Sequence, residues 1–187
     1  TYPGATAPYG AVQLSPDTRK GNWDACSGYH YSDSTLMGFS HTHLSGTGCI
    51  DLGDILFRPS LQTPLAFSHS DEKASPGYYS VNLREAGVLA ELTTPPHVGI
   101  HRYTYKKGIE STLVVDMDHL LDNEYIYEGW VKQTGENELT GMRRTRGWVD
   151  NQYVFFVAQF SQPFSSMEQP SVRLPESPSS AKSGYRS

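Results

Sequence analysis

Long apolar runs are missing from this chain of 187 residues. The longest uninterrupted one, Val154 to Ala158, is far too short to cross a bilayer as a helix, and no membrane partner is expected. Basic blocks are missing too. Fifteen Lys and Arg stand against twenty Asp and Glu, giving a formal charge of -5 with His neutral. Nucleic acid is therefore not expected as a main partner, because phosphate neutralisation needs clustered cations. Cysteine is scarce: Cys26 and Cys49 are the two present. They allow one disulfide in an oxidising compartment or two buried thiols, and the count does not choose between these. Helical periodicity is absent over any useful length. A starting Met, a basic leader and an apolar leader segment are absent as well, so any signal peptide is expected outside these residues. Hydrophobic content is nonetheless 37%, rising to about 46% with glycine, an ordinary globular figure that excludes wholesale disorder.

Three zones follow one another. Residues 1–54 are rich in Gly, Ser, Thr, His and Tyr and read as the loop-rich part of one domain. Residues 55–160 alternate short β-rich runs with turn signals. From 161 to 187 Pro and Ser dominate and apolar anchors thin out, so a loosely packed tail is expected. In the middle zone the candidate strands are Ile55–Arg58, Tyr78–Leu83, Val88–Thr93, Gly99–Lys106, Thr112–Asp118, Glu124–Val131, Leu139–Arg144 and Gln152–Phe160. Alternation places His101, Tyr103 and Tyr105 on one face and Ile100, Arg102 and Thr104 on the other. Turn residues separate the runs at Glu85-Ala86-Gly87, Lys107-Gly108 and Gly135-Glu136-Asn137. Strands recurring every ten residues or so, without helical crossovers, predict an all-β antiparallel sandwich.

Few patterns for chemistry survive scrutiny. Ser45-Gly46-Thr47-Gly48-Cys49 has no lysine after its glycines, so a phosphate-binding loop is not expected. The nucleophile elbow of serine hydrolases is absent. His41 and His43, two apart on an extended segment, are expected on one face with Asp51 or Asp54 nearby, which invites a metal-binding reading. No known zinc spacing matches, and a buried polar loop that satisfies its own backbone is the favoured account. Asp116 and Asp118 read as a strand end with a hydrogen-bonded turn, or as alternate carboxylates on one face. Trp23, Asp24, Tyr29, His30, Tyr31 and Asp33 interleave rings with short polar groups, a mixture suited to carbohydrate contact, though Tyr and Trp also pack half-buried over sheets.

Beyond these features the string resembles the N-terminal region of glycoside hydrolase family 92 α-mannosidases. The resemblance begins with Tyr2-Pro3-Gly4-Ala5 and the run from Pro8 to Thr18, and continues through Ser27-Gly28-Tyr29-His30-Tyr31, Gly38 to Gly48 and Asp51-Leu52-Gly53-Asp54. It goes on in order through Phe67-Ser68-His69, Pro76-Gly77-Tyr78-Tyr79, Ala90-Glu91-Leu92-Thr93 and Gly99-Ile100-His101-Arg102-Tyr103, and reaches Val157-Ala158-Gln159-Phe160-Ser161. Tyr9 and Ala11 stand where the family more often has Phe and Met. The segment before Tyr2 that the family carries is missing, so loss of an edge strand is expected.

The resemblance implies a secreted or periplasmic two-domain enzyme that hydrolyses α-mannosidic bonds, α-1,2 above all, with inversion and with calcium, in the degradation of N-glycans and related oligosaccharides. It places the catalytic carboxylates and the calcium ligands on a C-terminal (α/α)6 barrel, which is the partner of this domain and lies outside the present chain. No catalytic or metal-binding residue is expected here. Trp23 is expected to flank the leaving-group mannose, with Asp24, His41 and His43 shaping or lining the same surface. The competing expectations are a free-standing carbohydrate-binding module and a purely structural sandwich.

Overall fold

The computed structural model describes residues 2–21, 23–44, 46, 48–122 and 125–167. Fourteen strands occur among them. In chain order they are β1 (Ala5–Thr6), β2 (Gln13–Asp17), β3 (Thr35–Leu36), β4 (Gly38–Ser40), β5 (Leu56–Arg58), β6 (Leu65–Ala66), β7 (Glu72–Ser75), β8 (Tyr78–Leu83), β9 (Val88–Thr93), β10 (Ile100–Tyr105), β11 (Val114–Asp116), β12 (Tyr125–Gly135), β13 (Glu138–Arg146) and β14 (Gln152–Gln159). Helix is confined to single 3-10 turns at Trp23–Ala25 and His69–Asp71. No described helix is long and apolar enough to cross a membrane. Contacts divide the chain into two compact units, Thr1–Glu124 and Tyr125–Ser187.

The first unit is an antiparallel sandwich, the expected fold class. It is built from β1, β2 and β4 of the stretch read as loop-rich together with later strands, while β12 to β14 of the expected 55–160 stretch fall in the second unit. One sheet has the order β1-β2-β4-β5-β11 and the other β10-β9-β8-β7, while β3 and β6 form a separate pair. The two sheets close on one apolar layer. Leu14 and Phe39 come from one side; Tyr79, Val81, Leu83, Val88, Ala90 and Leu92 come from the other, at period two along β8 and β9. Phe39 meets both Tyr79 and Tyr103 across the gap, at ring separations of 6.4 and 6.3 Å. On β10, His101, Tyr103 and Tyr105 are half-buried while Ile100, Arg102 and Thr104 are exposed, as the alternation predicts.

The stretch 1–54 carries β1 to β4, each only two to five residues long. β2 runs through Pro16 without losing a ladder bond. The Gln13 N–H points to His41 O on the β4 side, so the even-numbered position 16 faces the β1 side, where pairing has already ended at Leu14. Tyr9 is fully exposed at a positive φ of 58° in the turn closed by Gly10 N–H to Ala7 O. Its difference from the more usual Phe therefore disturbs no packing.

The second unit is a three-stranded antiparallel sheet in the order β12-β13-β14. Gly141 on β13 leaves room for the ring of Phe156 on the paired strand, which a Cβ at 141 would strike. Of the tail, residues 161–167 are described, and Phe164 N–H bonds Glu136 O. The rest of the expected loose segment, 168–187, lies outside the described residues, as do Ser45 and Thr47 of the glycine-rich turn.

Candidate functional site

Trp23 opens a 3-10 turn held from several directions. Gly28 N–H bonds Ala25 O at 2.8 Å, and the Cys26 thiol donates to Trp23 O at 2.9 Å. Two residues before the ring, Gly21 N–H bonds Leu121 O at 2.6 Å. The ring is 71% exposed, and its far edge lies against Gly48, where a Cβ would sit 3.5 Å from Cζ2 and Cη2. Asp24 beside it is also exposed. A large aromatic left in water on a braced turn is the feature of this surface that suits a sugar face.

Beneath the turn lies a carboxylate with no exposure. Asp17 Oδ1 is 2.7 Å from His43 Nε2, and Oδ2 receives Ser40 Oγ–H at 2.6 Å and His119 Nε2 at 2.8 Å. Burial pushes the Asp17 carboxyl up, but the charge of His43 and the hydrogen bonds from both imidazoles outweigh it and hold the group well below the usual carboxylate range. His43 Nδ1 lies 2.6 Å from Gln13 O. A carbonyl only accepts, so Nδ1 carries the N–H of that bond. Gly28, at φ +78°, packs so close to Asp17 Oδ1 that a side chain there would collide with it.

His41 belongs to a different network. Its Nδ1 donates to Ile55 O at 2.7 Å, leaving Nε2 to accept from His101 Nε2 at 3.0 Å. His101 Nδ1 then accepts from the Tyr103 hydroxyl at 2.7 Å. With both imidazoles neutral, as their burial favours, the three hydrogen bonds run in this one direction. Burial holds His41 down to about 4 and His101 well below its ordinary value.

The four residues expected at a sugar surface therefore separate. Trp23 and Asp24 stand in solvent. His43, with a fully enclosed imidazole, has no surface to offer a ligand and braces the loop instead. Both nitrogens of His41 are taken by protein partners. The two histidines also do not share a face: β4 ends at Ser40, and the period-two rule lapses where regular pairing does. Among the described residues no group of three or more His, Cys, Asp or Glu is placed to hold a metal. Asp116 Oδ1 accepts from the Asp118 amide at 2.9 Å, a turn at the end of β11. Both cysteines carry thiols.

Other carboxylates are engaged by donors. Asp33 is bound by Arg19 and Thr18, Asp71 by Arg84, Glu91 by Arg102 and Tyr78, and Glu72 by Tyr79, Tyr29 and His69. Sequence reasoning singled out neither Asp17 nor His119. Their hydrogen bond spans 102 positions, and Ser15-Pro16-Asp17 reads locally as a turn.

An antiparallel sandwich that presents a braced tryptophan to solvent has a form that suits a domain of a carbohydrate-active protein. The family model described as the glycosyl hydrolase family 92 N-terminal domain matches residues 1–184, and the chain belongs to that family. It is similar to a family 92 α-mannosidase of Bacteroides thetaiotaomicron at 38% identity and a TM-score of 0.84, over 88% of this chain and 24% of that one. The same enzyme in complex with mannoimidazole gives a TM-score of 0.83. Another solved family 92 glycosyl hydrolase is 28% identical with a TM-score of 0.71, over 87% of this chain and 24% of that one. A curated relative described as an uncharacterized secreted glycosidase, from Arthroderma benhamiae, is 27% identical over 143 residues, or 65% of this chain and 18% of that protein. The chain thus spans a quarter or less of the length of these relatives.

Proposed function

We propose that this chain is the N-terminal domain of an exo-acting, inverting, calcium-dependent α-mannosidase, secreted or periplasmic, that removes α-1,2-linked mannose from oligosaccharides such as N-glycans. In this reading it forms one wall of the substrate pocket and leaves bond cleavage to a C-terminal domain. Inversion needs two carboxyl groups about 6.5–9.5 Å apart with a water between them. The carboxylates described above are committed to arginines, imidazoles, hydroxyls and backbone amides, which argues against such a pair in this domain. Nor do they fit a calcium site, which takes six to eight oxygen ligands. We therefore assign the calcium requirement to the C-terminal part of the protein. Membership of family 92 and the likeness to a solved α-mannosidase support the substrate class.

The observation that carries the role of this domain is Trp23, 71% exposed yet held on a turn closed by Cys26, Gly28 and Leu121. An indole face stacks on the apolar face of a pyranose, and its rigidity keeps the entropy cost of binding low. Steady-state kinetics of the full-length enzyme on an α-linked mannobiose test this. Trp23→Ala should lower kcat/KM by about tenfold, the equivalent of about 1.4 kcal/mol, chiefly through KM, with Trp23→Phe recovering part of the loss. Unchanged kinetics in Trp23→Ala would leave the domain a purely structural sandwich.

A further inference from the structure

We infer that Asp17 is the positioning residue for the Trp23 platform, an inference that rests on the sugar-facing reading of that ring. Three chain segments meet at or beside the Trp23 turn, and the Asp17 carboxylate reaches all three. The first, residues 21–28, touches it through Gly28, which lies against Oδ1 and whose N–H closes the Trp23–Ala25 turn at Ala25 O. Gly28 O in turn receives the amides of Thr18 and Arg19, at 2.7 and 3.2 Å, directly after Asp17.

The second segment runs from His43 to Gly53. His43 bonds Oδ1 and forms a β-bridge with Leu52. Gly48, between them in sequence, is the residue that flanks the indole. The third segment contributes His119 to Oδ2 at 2.8 Å. Two residues on, Leu121 supplies the carbonyl that holds Gly21, and its side chain packs against both Gly28 and Gly53.

Asp17 does not touch the indole itself. It sets where the indole stands by fixing the three loops that hold it. A tryptophan 71% exposed on a single 3-10 turn has little packing of its own to define its direction. Its pose is therefore inherited from this buried anchor, which acts as preorganisation of a binding surface.

Asp17→Asn tests the inference, since it keeps the volume but replaces one acceptor oxygen with a donor facing imidazole N–H groups. The full-length protein is labelled with 5-fluorotryptophan, and the fluorine resonance of Trp23 is identified by its loss in Trp23→Phe. In folded Asp17→Asn this resonance should shift or broaden while those of Trp130 and Trp148 keep their positions. Where Asp17→Asn does not fold, His119→Gln, which leaves the Asp17–His43 pair in place, should move the Trp23 resonance in the same direction and by less. A Trp23 resonance unchanged in either folded variant overturns the inference.

Kinetics on an α-linked mannobiose separate the inference from the reading beneath it. The positioning role predicts a KM several-fold higher with kcat held, which a general loss of stability would not produce. A moved resonance with unchanged KM would support the loop anchor and overturn the sugar-facing reading of Trp23. An unmoved resonance with a raised KM would overturn the anchor alone.

Discussion

Asp17→Ala should reduce the free energy of unfolding by about 3–5 kcal/mol, the cost of removing one partner from a buried charged pair. The reason lies in what the substitution strands. His43 Nε2 loses its partner at Oδ1, and His119 Nε2 and the Ser40 hydroxyl lose theirs at Oδ2. All of these groups are buried, so water cannot replace the carboxylate cheaply. Urea unfolding at neutral pH measures the loss. A change below about 1 kcal/mol, the scale of an ordinary surface substitution, would mean that the carboxylate is not the hub of this network. The deficit should also depend on pH in a defined way. The Asp17 carboxyl is held below its ordinary 3.8, so its contribution is fully present above that value and disappears as the pH falls through the acid range below it.

A second loss of stability should begin much closer to neutrality. Burial, with a smaller contribution from the charge of His43, holds His41 down to about 4 from an ordinary 6.5, and burial together with the charge of His41 lowers His101 too. Below pH 6.5 the unfolded chain takes up protons that the folded one refuses, so stability falls as the pH falls. The slope approaches about 1.4 kcal/mol per pH unit for each imidazole, or roughly 3 kcal/mol for His41 by pH 4. The geometry supplies the mechanism. His41 Nε2 accepts the hydrogen bond from His101 Nε2 and His101 Nδ1 accepts from Tyr103, so a proton added at either acceptor breaks the chain. Unfolding free energies measured between pH 7.5 and 4 should show this decline, and His41→Gln with His101→Gln should flatten it. An equal slope in the double variant would refute the assignment.

Much of the fold could be read from the sequence where side chains alternate. β8 and β9 coincide with the candidate runs Tyr78–Leu83 and Val88–Thr93, and the other predicted strands differ only at their ends. The elements that escaped notice have physical reasons to do so. β1, β3, β4 and β6 have two or three residues each, too few for a period to show. β2 contains a proline tolerated only because of which neighbour position 16 faces. β7, Glu72–Ser75, is mostly exposed and polar on an edge. At the site, Trp23 was accessible through resemblance. The Asp17 cluster was not, because a buried carboxylate is recognised by its partners, and His43 and His119 come from distant parts of the chain. The paired histidines misled for a related reason: spacing along a strand fixes direction only while the strand lasts.

The central claim is that this domain helps to hold substrate and does not cleave it. Incubating the purified chain with an aryl α-mannoside and calcium, alongside the full-length enzyme, tests that claim most directly. The account predicts release of the aryl alcohol by the full-length enzyme and none above buffer by the chain alone. Turnover by the chain that survives further purification would contradict it and place a working acid and base among these residues.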